Sequence, residues 1–376
     1  MAIEFQANEM MSFYFMWQEA LSAYGSPQLD TYLKSFENPD IEAIKNSYPK
    51  GIGGKFQNLS LLGKDIQNGE VRNIDEFAQK MAKHLDISKE DMARISPNLQ
   101  KAFGAYHDFY KTAEPIMSSN LTTLNDVQTD NQLGYSGDLS KLYKFFGVDE
   151  KSDRLVGYVN PSPVAPLYDG MCTNSGFYQN FPSHQLSGKS YVGDSTVGEN
   201  KISTPLHEAT HHIFARSQIK KDIINGEAKG RIKEVINVMD EYIKACPQGQ
   251  VRGAKGLSAL DEAFAACSSA LMDEKRTGVS PLDNPDREWY HGFDAANRLA
   301  PKVYPLYREY LEQGKTLDGE FFSKLGARLG DIKIATNKAQ RQTAQEDITP
   351  TKEQHSQAPQ SKMSVAEMTK ITQKTY

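Results

Sequence analysis

The string HEATH at residues 207–211 constrains this chain more than any other part of its sequence. On an α-helix, two histidines four residues apart lie one above the other on the same face, because that spacing is about one turn. The flanking residues agree with a helix start, since Thr204 can cap a helix and Pro205 suits its first position. We therefore predict a helix from Thr204 to about Lys221 that presents both imidazoles on one side.

The spacing of His207 and His211 suits a single metal ion bound through imidazole nitrogens, which zinc accepts readily. Glu208 lies about 100° round the helix from His207. From there it can take a proton from a water molecule without displacing either histidine. The alternative explanation is a surface helix whose histidines and glutamate are unrelated, but the adjoining helix start favours a site for one Zn2+ per chain.

A third protein ligand has to come from elsewhere in the chain, because catalytic zinc usually has three. The extended motif with a third histidine requires Gly at position 214 and His at position 217, where this sequence has Phe214 and Ser217. A carboxylate on a later helix is the remaining source. The candidates are Glu227, Glu234, Asp240, Glu241, Asp261 and Glu262.

The segment from Leu257 to Met272 favours Glu262 among these carboxylates. The segment is apolar nearly all round, which predicts a buried helix, and Glu262 lies among its alanines, opposite the stripe of large side chains. A carboxylate in that position is costly unless it is paired or binds a metal. Asp261, about 100° away, is the next candidate, and pairing with a buried Arg or Lys is the alternative role of Glu262.

The two strings HEATHH and DEAFAA, on successive predicted helices, resemble the gluzincin class of zinc metallopeptidases over residues 203–272. By this resemblance His207 and His211 match the two histidine ligands, Glu208 matches the general base and Glu262 the third ligand. The resemblance implies a zinc-dependent peptidase acting on a peptide or protein substrate. It also implies a zincin-like α+β fold, mainly α, in which a small twisted sheet lies above the motif helix and its edge strand holds the substrate.

Sites of this kind usually include a donor that stabilises the oxyanion of the tetrahedral intermediate. Tyr290 and His291 are the candidates, on a helix predicted to follow the ligand helix. Ordinary packing of an aromatic cluster is the alternative explanation for both residues.

The pattern along the chain divides it into a helical N-terminal domain over 1–130, a zincin-like metallopeptidase domain with a helical C-terminal subdomain over 131–330, and a disordered polar tail over 331–376. Within the second region we predict strands at 153–159 and 189–192, separated by a long loop at 161–187. The helices predicted after the motif helix cover 227–245, 257–275, 287–299 and 302–312, with Pro301 separating the last two.

Composition argues against several other classes of function. The net charge of −5 argues against nucleic acid as a partner. The sequence contains no run of about 18 apolar residues, so we predict no membrane-spanning helix. Three widely spaced cysteines form neither a disulfide framework nor a thiolate zinc site. No signal peptide is apparent, so we expect a cytoplasmic protein, or one exported without a cleavable signal as a bacterial effector is. The oligomeric state cannot be predicted from this sequence.

A helical interaction or effector protein with a structural or vestigial zinc site is the main competing interpretation, and hydrolysis of a non-peptide amide or ester is another. Glu208 argues against the first, because a structural site does not need it.

Overall fold

The computed structural model describes residues 2–21, 52–130, 134–162, 170–173, 176–182, 203–245, 255–284, 287, 289 and 294–330. The fold is mainly helical with a small sheet, as predicted. The helices are α1 Glu9–Leu21, α2 Ile52–Gln67, α3 Ile74–Leu85, α4 Lys89–Thr129, α5 Tyr135–Phe146, α6 Thr204–Arg216, α7 Gln218–Ile224, α8 Gly230–Ala245, α9 Gly256–Thr277, α10 Asp294–Gln313 and α11 Gly319–Ala327. None of the helices in these ranges combines the length and the apolar character of a bilayer-spanning segment.

The sheet has four strands in the order β1-β2-β4-β3. The strands are β1 Glu4–Gln6, β2 Val156–Ser162, β3 Gly170–Thr173 and β4 Gly176–Pro182. β1, β2 and β4 are parallel, and β3 is antiparallel to β4. Among the described strands, β3 therefore forms one edge of the sheet and β1 the other.

The predicted loop over 161–187 is wrong in part, because β3 and β4 both lie inside it. Its Pro, Gly and Asn content indicated a loop, but pairing with β2 recruits the aromatic segment 176–182 into the sheet. The predicted strand at 153–159 begins three residues later, at Val156. The strand predicted at 189–192 and the whole tail predicted at 331–376 lie outside the described residues, and the sequence pattern does not predict β1.

Residues 1–336 form one compact unit that contains two apolar clusters. One cluster joins α1 to α4 with Val156, Tyr158 and Val159 of β2. The other joins α5, α6, α8, α9, α10 and α11. Apart from β2 in the first cluster and Ile3 in the second, the clusters separate in sequence near residue 130, and the division into two domains stays a prediction.

Two predicted helix boundaries are wrong. A single helix, α10, replaces the pair at 287–299 and 302–312 and contains both Pro301 and Pro305. Its buried stripe continues through Leu299, Val303 and Tyr307. Burial of a large apolar side chain stabilises the folded state by about 1.5–3 kcal/mol. This stabilisation offsets the cost of placing proline inside a helix. The motif helix ends at Arg216 rather than near Lys221, because the Ser217 side chain accepts a hydrogen bond from the Lys220 backbone N–H (3.1 Å) and starts α7.

A chain of buried hydroxyl groups connects α6, α9 and α10. Thr210 Oγ1 lies 2.6 Å from Ser268 Oγ, which lies 2.7 Å from the hydroxyl of Tyr307. Thr210 Oγ1 also donates to the Leu206 carbonyl (2.7 Å). Buried polar groups that satisfy one another in this way specify one relative placement of the helices that carry them. This link therefore fixes the face that α6 presents to α9.

Candidate metal centre

His207 and His211 of α6 and Glu262 of α9 converge at one point of the structure. The Nε2 atoms of the two histidines are 3.2 Å apart. Glu262 Oε2 lies 3.3 Å from His211 Nε2 and 3.7 Å from His207 Nε2. This arrangement brings together the two predicted histidine ligands and the favoured carboxylate.

The spacing of these three atoms fits a zinc ion. Zinc bonds to nitrogen and oxygen of about 2.0–2.1 Å in a tetrahedron place neighbouring ligand atoms about 3.3 Å apart. The three observed separations lie close to that value, and all the ligand atoms lie within 4.8 Å of one another. Glu262 Oε2 is buried and accepts no well-aligned hydrogen bond within the described part of the chain. A buried carboxylate oxygen aimed at two imidazole nitrogens is a donor set suited to a cation.

The three side chains of the cluster also hold opposite charges in close contact. Burial alone would raise the pKa of Glu262, but the two histidines outweigh burial and hold that pKa well below its usual range. Burial would lower the pKa of His211, but Glu262 and Asp261 outweigh it and raise that pKa well above its usual value. The concentration of negative charge around His211 is what a bound cation would neutralise.

Asp261, the alternative ligand, lies on the other side of His211. Its Oδ1 is 2.7 Å from His211 Nδ1, the nitrogen that faces away from the cluster. Its Oδ2 accepts a hydrogen bond from Lys220 Nζ. The Nδ1 atom of His207 has a weaker neighbour, Ser269 Oγ, at 3.4 Å.

The four other candidate carboxylates have different surroundings. Glu227 and Glu241 are exposed. Glu234 pairs with Arg231, and Asp240 accepts a hydrogen bond from the Gly256 backbone N–H at 2.5 Å. Of the six carboxylates considered from sequence, Glu262 is the one whose oxygen meets both Nε2 atoms.

No family model, curated protein or solved structure matches this chain. The resemblance to gluzincins therefore rests on the two sequence strings and on the geometry of three ligand atoms. His207, His211 and Glu262 form a cluster that could hold a metal ion, and the chain is not assigned to a family.

Glu208 is buried beside the cluster and is only 6% exposed. Burial raises the pKa of its carboxyl, and the nearby His207 and His211 charges oppose that effect. A carboxyl with a raised pKa is suited to exchanging protons near neutral pH. Its role as general base stays a prediction, and the predicted oxyanion donors Tyr290 and His291 lie outside the described residues.

The motif helix packs against two strands of the sheet, β3 and β4. The strands predicted for the sheet are 153–159 and 189–192. The first corresponds to β2, which lies inside the sheet between β1 and β4. Among the described strands, β3 is the edge strand next to α6.

His212 connects α6 to the segment that precedes β2. Its Nε2 lies 2.9 Å from Asp153 Oδ2, which also accepts a hydrogen bond from the Tyr143 hydroxyl (2.8 Å). Arg216 Nε lies 3.2 Å from the other carboxylate oxygen. Asp153 gave no signal in the sequence, because its partners are contributed by two other helices.

Replacing Asp153 with asparagine is expected to destabilise the fold by about 1–3 kcal/mol at neutral pH, because buried partners lose a charged acceptor. Burial alone would raise the pKa of Asp153, but His212, Tyr143 and Arg216 outweigh burial and lower it. Because the pKa of Asp153 is lower in the folded state than in the unfolded state, its ionised carboxylate stabilises the fold at any pH above the unfolded-state pKa. That stabilisation is lost as the pH falls through the folded-state pKa. The difference in the free energy of unfolding between variant and wild type should therefore shrink below about pH 4.

Urea unfolding at several pH values measures this difference, with the exposed Asp108→Asn as the control. A difference that does not shrink below about pH 4 would contradict the assignment of Asp153 as an ionised acceptor.

Proposed function

We propose that this protein is a zinc-dependent peptidase. The observation that carries the proposal is the convergence of His207 Nε2, His211 Nε2 and Glu262 Oε2 at the spacing of zinc ligands. The sequence places Glu208, a buried proton acceptor, between the two histidines of that cluster. A purely structural metal site would not need this fourth residue.

The chemistry divides between the metal and the chain. Zinc, when bound, acts as a Lewis acid on a carbonyl oxygen and makes water more acidic. His207, His211 and Glu262 would bind the ion and leave a fourth position open. Glu208 would accept a proton from water as the scissile carbonyl is attacked, and donate it to the leaving amine.

The sheet supports a peptide as the substrate. An edge strand presents backbone N–H and C=O groups that can pair with an added strand. β3 is such an edge and packs against α6, the helix that carries both histidines. An extended peptide paired with β3 would run alongside the helix that carries the proposed ligands.

Metal content and hydrolysis, measured on the same preparation, test the proposal. We expect about one zinc per chain by elemental analysis and cleavage of an unfolded protein substrate and of a mixed peptide library. Treatment with a chelator should remove both the zinc and the activity, and stoichiometric zinc should restore both.

Two outcomes would contradict the proposal. Absence of zinc after reconstitution would refute the metal centre. One zinc per chain without cleavage of any peptide in the library would refute the peptidase and leave a metal-binding interaction protein.

A further inference from the structure

We propose that Asp261 and Lys220 form a positioning pair that fixes the proton of His211 on Nδ1 and so directs the lone pair of Nε2 towards the metal. The proposal rests on the metal centre of the proposed function and adds two residues that act through a ligand. It does not depend on the reaction being peptide hydrolysis.

The two ring nitrogens of His211 have different neighbours. Nδ1 lies 2.7 Å from Asp261 Oδ1, whereas Nε2 lies 3.2 Å from His207 Nε2 and 3.3 Å from Glu262 Oε2. A neutral imidazole has one N–H, and the hydrogen bond made by one nitrogen decides which nitrogen carries it. A carboxylate can only accept, so Asp261 places the proton on Nδ1 and leaves Nε2 free to bind a cation.

Lys220 holds the other oxygen of the Asp261 carboxylate. Its ammonium binds Asp261 Oδ2, and the two side chains are each only 16% exposed. The break at Ser217 turns the chain into α7, which carries Lys220. The ammonium also lies 5.0 Å from the centroid of the Phe214 ring, which favours this placement. Lys220 thus occupies one oxygen of Asp261 and leaves the other for His211.

From this geometry we predict how Asp261→Asn changes the binding of zinc by His211. The amide nitrogen of Asn cannot face an ammonium, so the amide oxygen would turn to Lys220 and the NH2 group to His211 Nδ1. Nδ1 would then have to accept a hydrogen bond, which moves the imidazole proton to Nε2 and removes the lone pair that binds the metal. In Asp261→Asn with Lys220→Met, the amide can turn back and accept from Nδ1–H.

The test is zinc affinity, measured by competition with a chromophoric chelator, for Asp261→Asn, Lys220→Met and the double variant. We expect Asp261→Asn to bind zinc about 10–100-fold more weakly than wild type, the range for an outer-shell partner. Lys220→Met should lose less, and the double variant should bind more tightly than Asp261→Asn alone. A purely structural role predicts the reverse order, because a second buried substitution would add damage.

Lys221→Met is the matched control, since Lys221 is the exposed neighbour on the same helix, and it should bind zinc like wild type. Thermal unfolding checks that each variant folds. If Asp261→Asn does not fold, the 15N shifts of the His211 ring in the metal-free wild type, recorded at a pH where the ring is neutral, decide: a proton on Nδ1 supports the proposal and a proton on Nε2 overturns it.

Wild-type affinity in Asp261→Asn, or no recovery in the double variant, would overturn the positioning pair and leave the proposed peptidase intact. Recovery in the double variant without peptide cleavage by the wild type would support the pair and refute the peptidase. A wild type that binds no zinc would overturn both.

Discussion

Replacing Glu208 with glutamine is expected to lower the rate of peptide hydrolysis by about 10²–10⁴-fold, the usual contribution of a general acid–base group. Glutamine keeps the size of the side chain but cannot accept the proton from water. Zinc per chain should stay at the wild-type value, because Glu208 is not one of the three converging ligands. Elemental analysis and single-turnover cleavage of one peptide measure the two quantities.

Glu241→Gln is the matched control for this substitution, because Glu241 is an exposed glutamate on α8. It should change neither zinc content nor rate. Wild-type turnover in Glu208→Gln would refute Glu208 as the general base. Loss of zinc together with turnover would show that Glu208 acts through the metal site instead.

Glu262→Gln is expected to weaken zinc binding by more than about 100-fold, beyond the loss typical of a residue that only supports a ligand. The substitution removes the charged oxygen that lies near both Nε2 atoms and leaves a neutral amide in its place. The metal-free fold should be less stable than wild type but still form, because the substitution removes the contact between the Glu262 carboxylate and the two histidine charges while keeping the size of the side chain. Zinc affinity by chelator competition and the midpoint of thermal unfolding without metal test the two statements.

Glu262→Asp separates the effect of the carboxylate charge from the effect of the position of its oxygen. The shorter side chain keeps the charge but withdraws the oxygen, so its zinc affinity should lie between those of wild type and Glu262→Gln. Full zinc affinity in Glu262→Gln would exclude Glu262 as a ligand and return Asp261 to consideration.

The parts of the site that could be predicted from sequence are those set by helical periodicity. The spacing of His207 and His211 fixes their common face, and the alanine-rich face of residues 257–272 marks Glu262 as a carboxylate that needs a partner. Both inferences need only local geometry. The convergence of Glu262 with the two histidines agrees with them.

The parts that could not be predicted depend on contacts between distant segments. β4 exists because it pairs with β2, and its composition alone indicated a loop. The second oxygen of Asp261 binds Lys220 of α7. This helix begins where the side chain of Ser217 caps its first turn. Asp153 meets His212 across 59 residues of chain. Patterns within one segment carry no information about partners of that kind.

Because the proposed ligands lie on α6 and α9, two helices packed in one apolar core, the unfolded chain has no assembled site for zinc. An ion that binds only the folded chain adds to the free energy of unfolding, by about 2.7 kcal/mol when its free concentration is 100 times the dissociation constant. Zinc supply would then determine the lifetime of the folded chain as well as its activity. Cells poor in this metal would lose the protein itself through unfolding and degradation.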